Sequence, residues 1–429
     1  MKGLWWVLLL CLGVSCAAQT RCDPAALPLA AGQVLAAQNS LRQSKLDEMI
    51  DLVPAAVAGQ MVELKAALSR ASDAALACFK PSVLPGEVEV NLAKVLHANA
   101  PEPADGFIAK DDHRYDEIVG SYGYNLRVQV SRPASVADVL VVQYSINIEC
   151  GADSMLLVYE VRDGEWRQRL RWQAPPLKSI SDAFGDFFVW TFLHDTSRSG
   201  RGHAAWRMVV AHGTTWCTSR FSNFKIDLLS PDSDPASPRV VWHSERGYSR
   251  GDFESRIKAW GDTFELRVNA DCMAYDTANC FERRVIYRYA VGSDGDVRRV
   301  GPLGLNARGF VTEWLEAPWV ESAGFSSAES ADELHKVYTQ LNRRFTPDDG
   351  QFMTKSYGPV RGCSTPGIFQ VQFDTTLERI IPGRPGGEST PLASHYFRVR
   401  ETKDGYLMLS TATQPDPDCV GVDLMAAGR

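Results

Sequence analysis

The sequence predicts a multidomain, mainly β protein. It has an N-terminal α-helical hairpin, a central all-β domain and a small C-terminal α+β domain. Three observations carry this reading. Apolar residues between 28 and 80 recur at helical spacing. From about 115 to 320 the chain breaks into short runs rich in β-branched and aromatic residues, separated by turn chemistry such as RDGE, SPDSDPASP and SDGD. After 325, one helical run precedes four strand-like ones.

The first 18 residues read as a secretory signal. Lys2 precedes a short apolar run, Leu4 to Gly13, and the small residues Ser15, Ala17 and Ala18 follow. The run is too short to span a bilayer, and no second run of about 20 apolar residues occurs, so the chain is not transmembrane. A lipid anchor at Cys16 is the rival reading; Gly13 stands where a lipobox expects Leu. Either reading places the protein outside the cytoplasm, secreted or periplasmic, and the absence of any N-x-S/T acceptor agrees with a bacterial origin.

Residues 19–80 predict the hairpin. Val34, Leu35, Leu41, Leu46, Met49 and Ile50 form one apolar face; Val57, Met61, Leu64, Leu68 and Leu76 form another. Pro54 suits the first turn of the second helix. Residues 81–114, with HANAPEPADG, read as a linker.

For the central domain, 115–320, the expected strands include YNLRVQV, DVLVVQYSI, SMLLVYEV, AAWRMVVA, FKIDLL, DTFELRV and RRVIYRYAV. An internal echo suggests a β-propeller-like arrangement, with a sandwich as the alternative. Segments starting at 156, 226 and 285 each have an apolar strand, an Asp-bearing turn and an Arg three residues before the end. Those arginines are Arg169, Arg239 and Arg298; Trp172 and Trp242 close the first two segments. The spacing is uneven and longer than common propeller repeats. GFVTEWLEAPWV is expected to end the β region. In the last domain, 325–429, Ser326 and Glu329 predict a capping box, and Lys403-Asp404-Gly405 a tight hairpin turn.

Cleavage would leave eight of the ten cysteines: Cys22, Cys78, Cys150, Cys217, Cys272, Cys280, Cys363 and Cys419. An even number in an exported chain reads as disulfides, although eight thiols allow 105 pairings. Proximity of the expected elements favours Cys22–Cys78, Cys150–Cys217, Cys272–Cys280 and Cys363–Cys419.

Net charge is −7, with both signs mixed, which argues against a nucleic-acid surface. Chemistry-bearing patterns are few. Gly247 to Gly251, GYSRG, matches the nucleophile elbow and nominates Ser249, but the surroundings are hairpins and no strand-to-helix turn is evident. Arg250-Gly251-Asp252 is too short a motif to carry adhesion. Asp111, Asp112 and His113, with Asp116 and Glu117, offer hard oxygen ligands and one imidazole, but a solvated polar segment before the first strand is the better account of them. His194-Asp195 and His203 flank a basic loop. In AHGTTWCTSRF, His212 and Cys217 could be a base and a thiol, but export favours a disulfide at Cys217. Trp172, Trp190, Trp206, Trp216, Trp242 and Trp260, with Arg201, Arg207, Arg220, Arg246 and Arg250, suit peptide or glycan recognition if exposed and core packing if not. The sequence therefore predicts an exported, disulfide-stabilised, non-catalytic binding or scaffold protein of a bacterial envelope. Its partner would be a protein, peptide or glycan, and no cofactor is called for. A secreted hydrolase using Ser249 is the alternative.

Overall fold

A computed structural model describes residues 22–43, 55–99, 123–148, 151–173, 184–194, 206–214, 221–249, 256–270, 283–301, 303–342, 351–379 and 388–425. The expected leader, Cys16, the Asp111–Asp112–His113 cluster, Cys150, Cys217, Cys272 and Cys280 lie outside these residues.

Two helices open the chain, α1 (Ala26–Arg42) and α2 (Ala55–Leu76). Cys22, just before α1, is disulfide-bonded to Cys78, just after α2. The bridge therefore sets the two helices antiparallel. Leu64, Ala67, Leu68, Ala71 and Ala75 form the buried stripe of α2, and their small members let its neighbours approach closely. The stretch expected as linker contains a third helix, α3 (Pro85–Leu96). Pro85 pre-sets its first turn, and Val88, Leu92 and Leu96 recur every fourth residue into the same core.

The β region is three four-stranded antiparallel meanders in sequence. The first is β1 (Tyr124–Ser131), β2 (Val139–Ile148), β3 (Gly151–Arg162) and β4 (Glu165–Gln173). The second is β5 (Phe184–His194), β6 (Trp206–Thr214), β7 (Phe221–Ser230) and β8 (Arg239–Ser249). The third is β9 (Arg256–Trp260), β10 (Thr263–Ala270), β11 (Arg283–Val291) and β12 (Val297–Arg299). Each echoed segment is the last hairpin of one sheet: β3–β4, β7–β8 and β11–β12. Asp163 and Gly164, both at positive φ, make the two-residue turn of the first.

The sheets stack face to face. One face of the first sheet, with Leu140, Val142, Tyr144, Leu157 and Tyr159, packs on the three helices. Its other face, with Val139, Val141, Leu156 and Val158, packs on Met208 and Val210 of the second sheet. Val209, Ala211, Ile226 and Leu228 then face Phe264, Leu266, Tyr287 and Tyr289 of the third. Burial on both faces explains the unbroken apolar runs VLVV and MLLVY, which do not alternate. The edge of β1 is covered by Asn99: its side chain exchanges hydrogen bonds with Val128, 2.8 and 2.9 Å, and its N–H donates to the Leu126 carbonyl.

No closed barrel or propeller forms among the described residues. This corrects the propeller-like expectation, and the reason is physical. Ring closure would bring the outer face of the third sheet against the first, but helices already cover the first and the third ends in charge.

The echoed tryptophans mark the seams. Trp172 packs on Phe188 of the second sheet, ring centroids 5.2 Å apart. Trp242 does the same one seam later, 4.9 Å from Tyr289 of the third. In the third echo the corresponding position is Gly301, where the backbone of the C-terminal domain arrives: a Cβ there would lie 2.4 Å from the Asp404 carbonyl oxygen.

The C-terminal sheet is also a meander, β13 (Gln351–Gly362), β14 (Ile368–Arg379), β15 (Glu388–Thr402) and β16 (Gly405–Ala412). Lys403 and Asp404 make the expected tight turn. Three helices cover one face: α4 (Ala307–Glu316), α5 (Trp319–Ala323) and α6 (Ala331–Leu341). GFVTEWLEAPWV, expected to end the β region, is therefore helical. Phe310, Val311, Trp314 and Leu315 fall on one helical face, and Asn306 caps the first turn by accepting from Gly309 N–H at 2.7 Å. The expected capping box does not form, because the Ser326 hydroxyl accepts from the buried Trp314 indole at 2.9 Å. Cys363–Cys419 is bridged, as expected.

Candidate functional site

The third sheet ends the stack, and its outer face is where the chain concentrates charge. The cause is strict alternation. In β9, RIKAW, Ile257 and Ala259 pack inward while Arg256, Lys258 and Trp260 are exposed. In β10, Phe264, Leu266 and Val268 are core, so Thr263, Glu265 and Arg267 take the outer face. Register adds Ile286 and Arg288 from β11 and Arg298 from β12.

Glu265 organises this face. It lies between Lys258 on one neighbouring strand and Arg288 on the other. Although it is on the outer face it is only 4% exposed, because two guanidinium groups roof it. Arg267 Nε donates to Oε1 at 2.7 Å and Arg288 Nε to Oε2 at 3.0 Å. Burial would raise the Glu265 pKa, but the hydrogen bonds from Arg288 and Arg267 outweigh it and hold the carboxyl below its ordinary value. The Arg288 guanidinium carbon also sits 5.6 Å from the Trp260 ring centroid. Trp260 is 48% exposed, at the rim beside the Gly261–Asp262 turn.

Among the described strand residues the face carries Arg256, Lys258, Arg267, Arg288 and Arg298 with the carboxylate of Glu265, on a chain whose net charge is −7. Arg256 and Arg267 are direct cross-strand partners. Like charges in that relation repel, and Glu265 offsets the repulsion at Arg267.

A second polar cluster lies at the seam of the first two sheets. His212, on β6, is 2% exposed and packs on Trp172, centroids 5.0 Å apart. Asp227, on β7, bonds His212 Nε2 at 3.1 Å through one oxygen and His243 Nδ1 at 2.7 Å through the other. Burial lowers the His212 pKa, against the pull of Asp227. For Asp227 burial works upward, and the two imidazoles overcome it to hold the carboxyl below its usual value. Asp227 fixes the His243 ring and leaves its other nitrogen toward solvent, but no hydroxyl or thiol nucleophile is placed beside it among the described residues. His212 therefore binds two sheets together, and the reactive pairing with Cys217 falls outside the described residues.

Ser249 is the last residue of β8, paired with Phe221 in an antiparallel ladder; the next described element is another strand, β9. The rest of GYSRG lies outside the described residues, save Gly247 and Tyr248 in the same strand. Among the described residues no three His, Cys, Asp or Glu side chains are placed to hold a metal ion, and no helix is long and apolar enough to cross a membrane. Of the flagged tryptophans, Trp172 and Trp206 are buried and Trp190 and Trp242 half-buried. Trp260 alone of the described ones is exposed.

Sequence reasoning noted Trp260 and Arg298 but not their company. The signal was present: RIKAW alternates, and FELRV and VIYRYAV place their charges on one face once register is known.

No family model matches the chain, and no curated protein matches it either.

Proposed function

We propose that this protein is an exported, disulfide-stabilised, non-catalytic binding or scaffold protein of the bacterial envelope, and that the outer face of its third sheet is the binding surface. The carrying observation is the Arg256–Arg267 pairing within an exposed cationic face braced by Glu265. Export rests on the composition of the first 18 residues, with a lipid anchor at Cys16 as its variant, and on the two disulfides Cys22–Cys78 and Cys363–Cys419. The three meanders are blade-like units, propeller-like in local design and stacked in a row.

The test is retention on an immobilised polyanion under a rising salt gradient. The Arg256→Gln/Lys258→Gln variant is expected to elute at clearly lower salt than the wild type. Identical elution would remove the surface from consideration. The hydrolase alternative keeps Ser249 as nucleophile. It is favoured only if a fluorophosphonate probe labels the protein and Ser249→Ala abolishes the labelling.

A further inference from the structure

We infer that the outer face of the third sheet binds a linear acidic polysaccharide, one bearing carboxylate or sulfate groups on successive sugars. The inference rests on the binding-surface reading above and names its ligand class.

The geometry is that of an extended, flat, periodic ligand. Cations two residues apart along β9, Arg256 and Lys258, are spaced about 6.6–6.8 Å, and adjacent strands add further positive charge every 4.7–4.9 Å or so. Arg267, Arg288 and Arg298 continue the field across β10, β11 and β12. A point anion would use one or two of these groups; a chain of anions uses the row. Preorganisation is built in. Glu265 holds the Arg267 and Arg288 guanidinium groups in place, so less side-chain freedom is lost on binding. Each guanidinium retains N–H groups to donate in a fixed fork to a ligand oxyanion. Trp260 supplies the second component. Half exposed at the rim, with the Arg288 guanidinium over its ring, it offers its exposed area as an apolar platform to the C–H face of a pyranose.

Other polyanions fit less well. Single-stranded nucleic acid is held by several aromatic side chains in series, and this face has one. Duplex grooves admit a helix or ribbon, whereas this is a flat four-stranded face. An anionic bilayer calls for a rim of apolar side chains, yet the exposed Asp262 neighbours Trp260 at the rim. A second copy of this chain, net −7, could also supply negative charge, and the test includes that outcome.

The experiment uses the full mature chain and follows intrinsic tryptophan fluorescence and calorimetry with four probes: polygalacturonate, neutral dextran, a 20-nucleotide poly-dT strand and vesicles containing phosphatidylglycerol. Circular dichroism checks that each variant is folded. Polygalacturonate is expected to bind and dextran not. Arg256→Gln/Lys258→Gln should flatten the slope of log affinity against log salt by about 1.4–1.8, taking about 0.7–0.9 for each lost contact. Trp260→Ala should weaken binding about tenfold, or about 1.4 kcal/mol, without changing that slope. Trp260→Phe should restore part of it. Tighter binding of poly-dT or vesicles than of polygalacturonate, or an unchanged affinity in Trp260→Ala, overturns the glycan inference and leaves the binding surface standing. No change in Arg256→Gln/Lys258→Gln with any probe overturns both. Dimerisation abolished by the same double variant, with no polyanion bound, assigns the face to a second copy and also overturns the inference.

Discussion

Replacing Arg299 by Met should uncouple the C-terminal domain from the β stack. Arg299 stands on β12 with its side chain fully buried. Its guanidinium donates to Glu313 of α4 at 2.9 Å, lies 3.4 Å from Glu321 of α5, and covers the Tyr287 ring at 4.6 Å. Burial works against its charged form most strongly, but Glu313, Tyr289, Tyr287 and Glu321 together outweigh it and hold its pKa above the usual arginine value. Glu321 keeps a second partner, Arg246 of β8, so the loss of Arg299 falls chiefly on Glu313, whose side chain is 2% exposed. A buried charge left without its partner costs about 3–5 kcal/mol. Loss of the cation–π contact adds roughly 0.5–2 kcal/mol. The expected destabilisation for Arg299→Met is therefore about 3.5–7 kcal/mol. Glu313→Gln keeps a hydrogen-bond acceptor and leaves Arg299 with Glu321, so it should cost about 1–3 kcal/mol. The double variant Arg299→Met/Glu313→Leu should recover most of the loss, because apolar replacement of a buried pair is often neutral. Urea unfolding monitored by tryptophan fluorescence gives the energies. Limited proteolysis near residues 301–306 reports whether the two parts separate. A loss under about 1 kcal/mol for Arg299→Met, or a double variant no better than the single, would refute the reasoning.

Two further outcomes follow from other contacts. Gly301→Ala places a methyl 2.4 Å from the Asp404 carbonyl, so the β15–β16 turn must move; a loss of about 1–3 kcal/mol in urea unfolding is expected, and none at all would mean that the turn yields freely. His212, with its pKa below 6.5 in the folded chain, binds its proton more readily when unfolded, so its contribution is present above the unfolded value and is lost as pH falls through and below about 6.5. Lys225 and His243 add positive charge near it and Asp227 adds negative. Asp227, also depressed, extends the loss below about 3.8. His212→Gln should flatten the stability slope between pH 7 and 5, where one proton accounts for at most about 1.4 kcal/mol per pH unit. An unchanged slope would remove His212 from the acid response.

Strands were legible where a turn signal bounded them. RDGE and Lys403-Asp404-Gly405 each close a hairpin through a two-residue turn, which has few sequence solutions, and SDGD lies in a five-residue one. The echoed hairpins were legible as copies, but their four-stranded context was not: β5 and β9 share no echo, and sheet membership depends on pairings tens of residues apart. Helix α3 was hidden by its Pro- and Ala-rich setting, and α4 by Phe310, Val311, Thr312 and Trp314, which read equally well as strand. The cationic face escaped for a related reason. Arg256, Lys258, Arg267, Arg288 and Arg298 span more than forty residues of sequence, and only the register of β9 to β12 puts them on one face.

The position of that face follows from how the stack is ended. A meander of this kind has two faces to cover. The first sheet covers one with helices and the other with the second sheet, and the second is covered by sheets on both sides. At each sheet–sheet seam the last strand contributes a tryptophan, Trp172 and then Trp242. The third copy of the hairpin omits it and carries Gly301, which admits the C-terminal domain at the sheet's edge. Its inner residues Arg299 and Tyr289 are taken up by contacts with Arg246, Glu313 and Glu321. The domain therefore docks at the edge and inner corner of the last sheet. A neutral polar face would have sufficed for solubility at the end of such an array. The chain instead groups Arg256, Lys258, Arg267, Arg288 and Arg298 there and buries Glu265 to hold two of the guanidinium groups in place. That excess over what capping requires is the physical ground for assigning binding to this face.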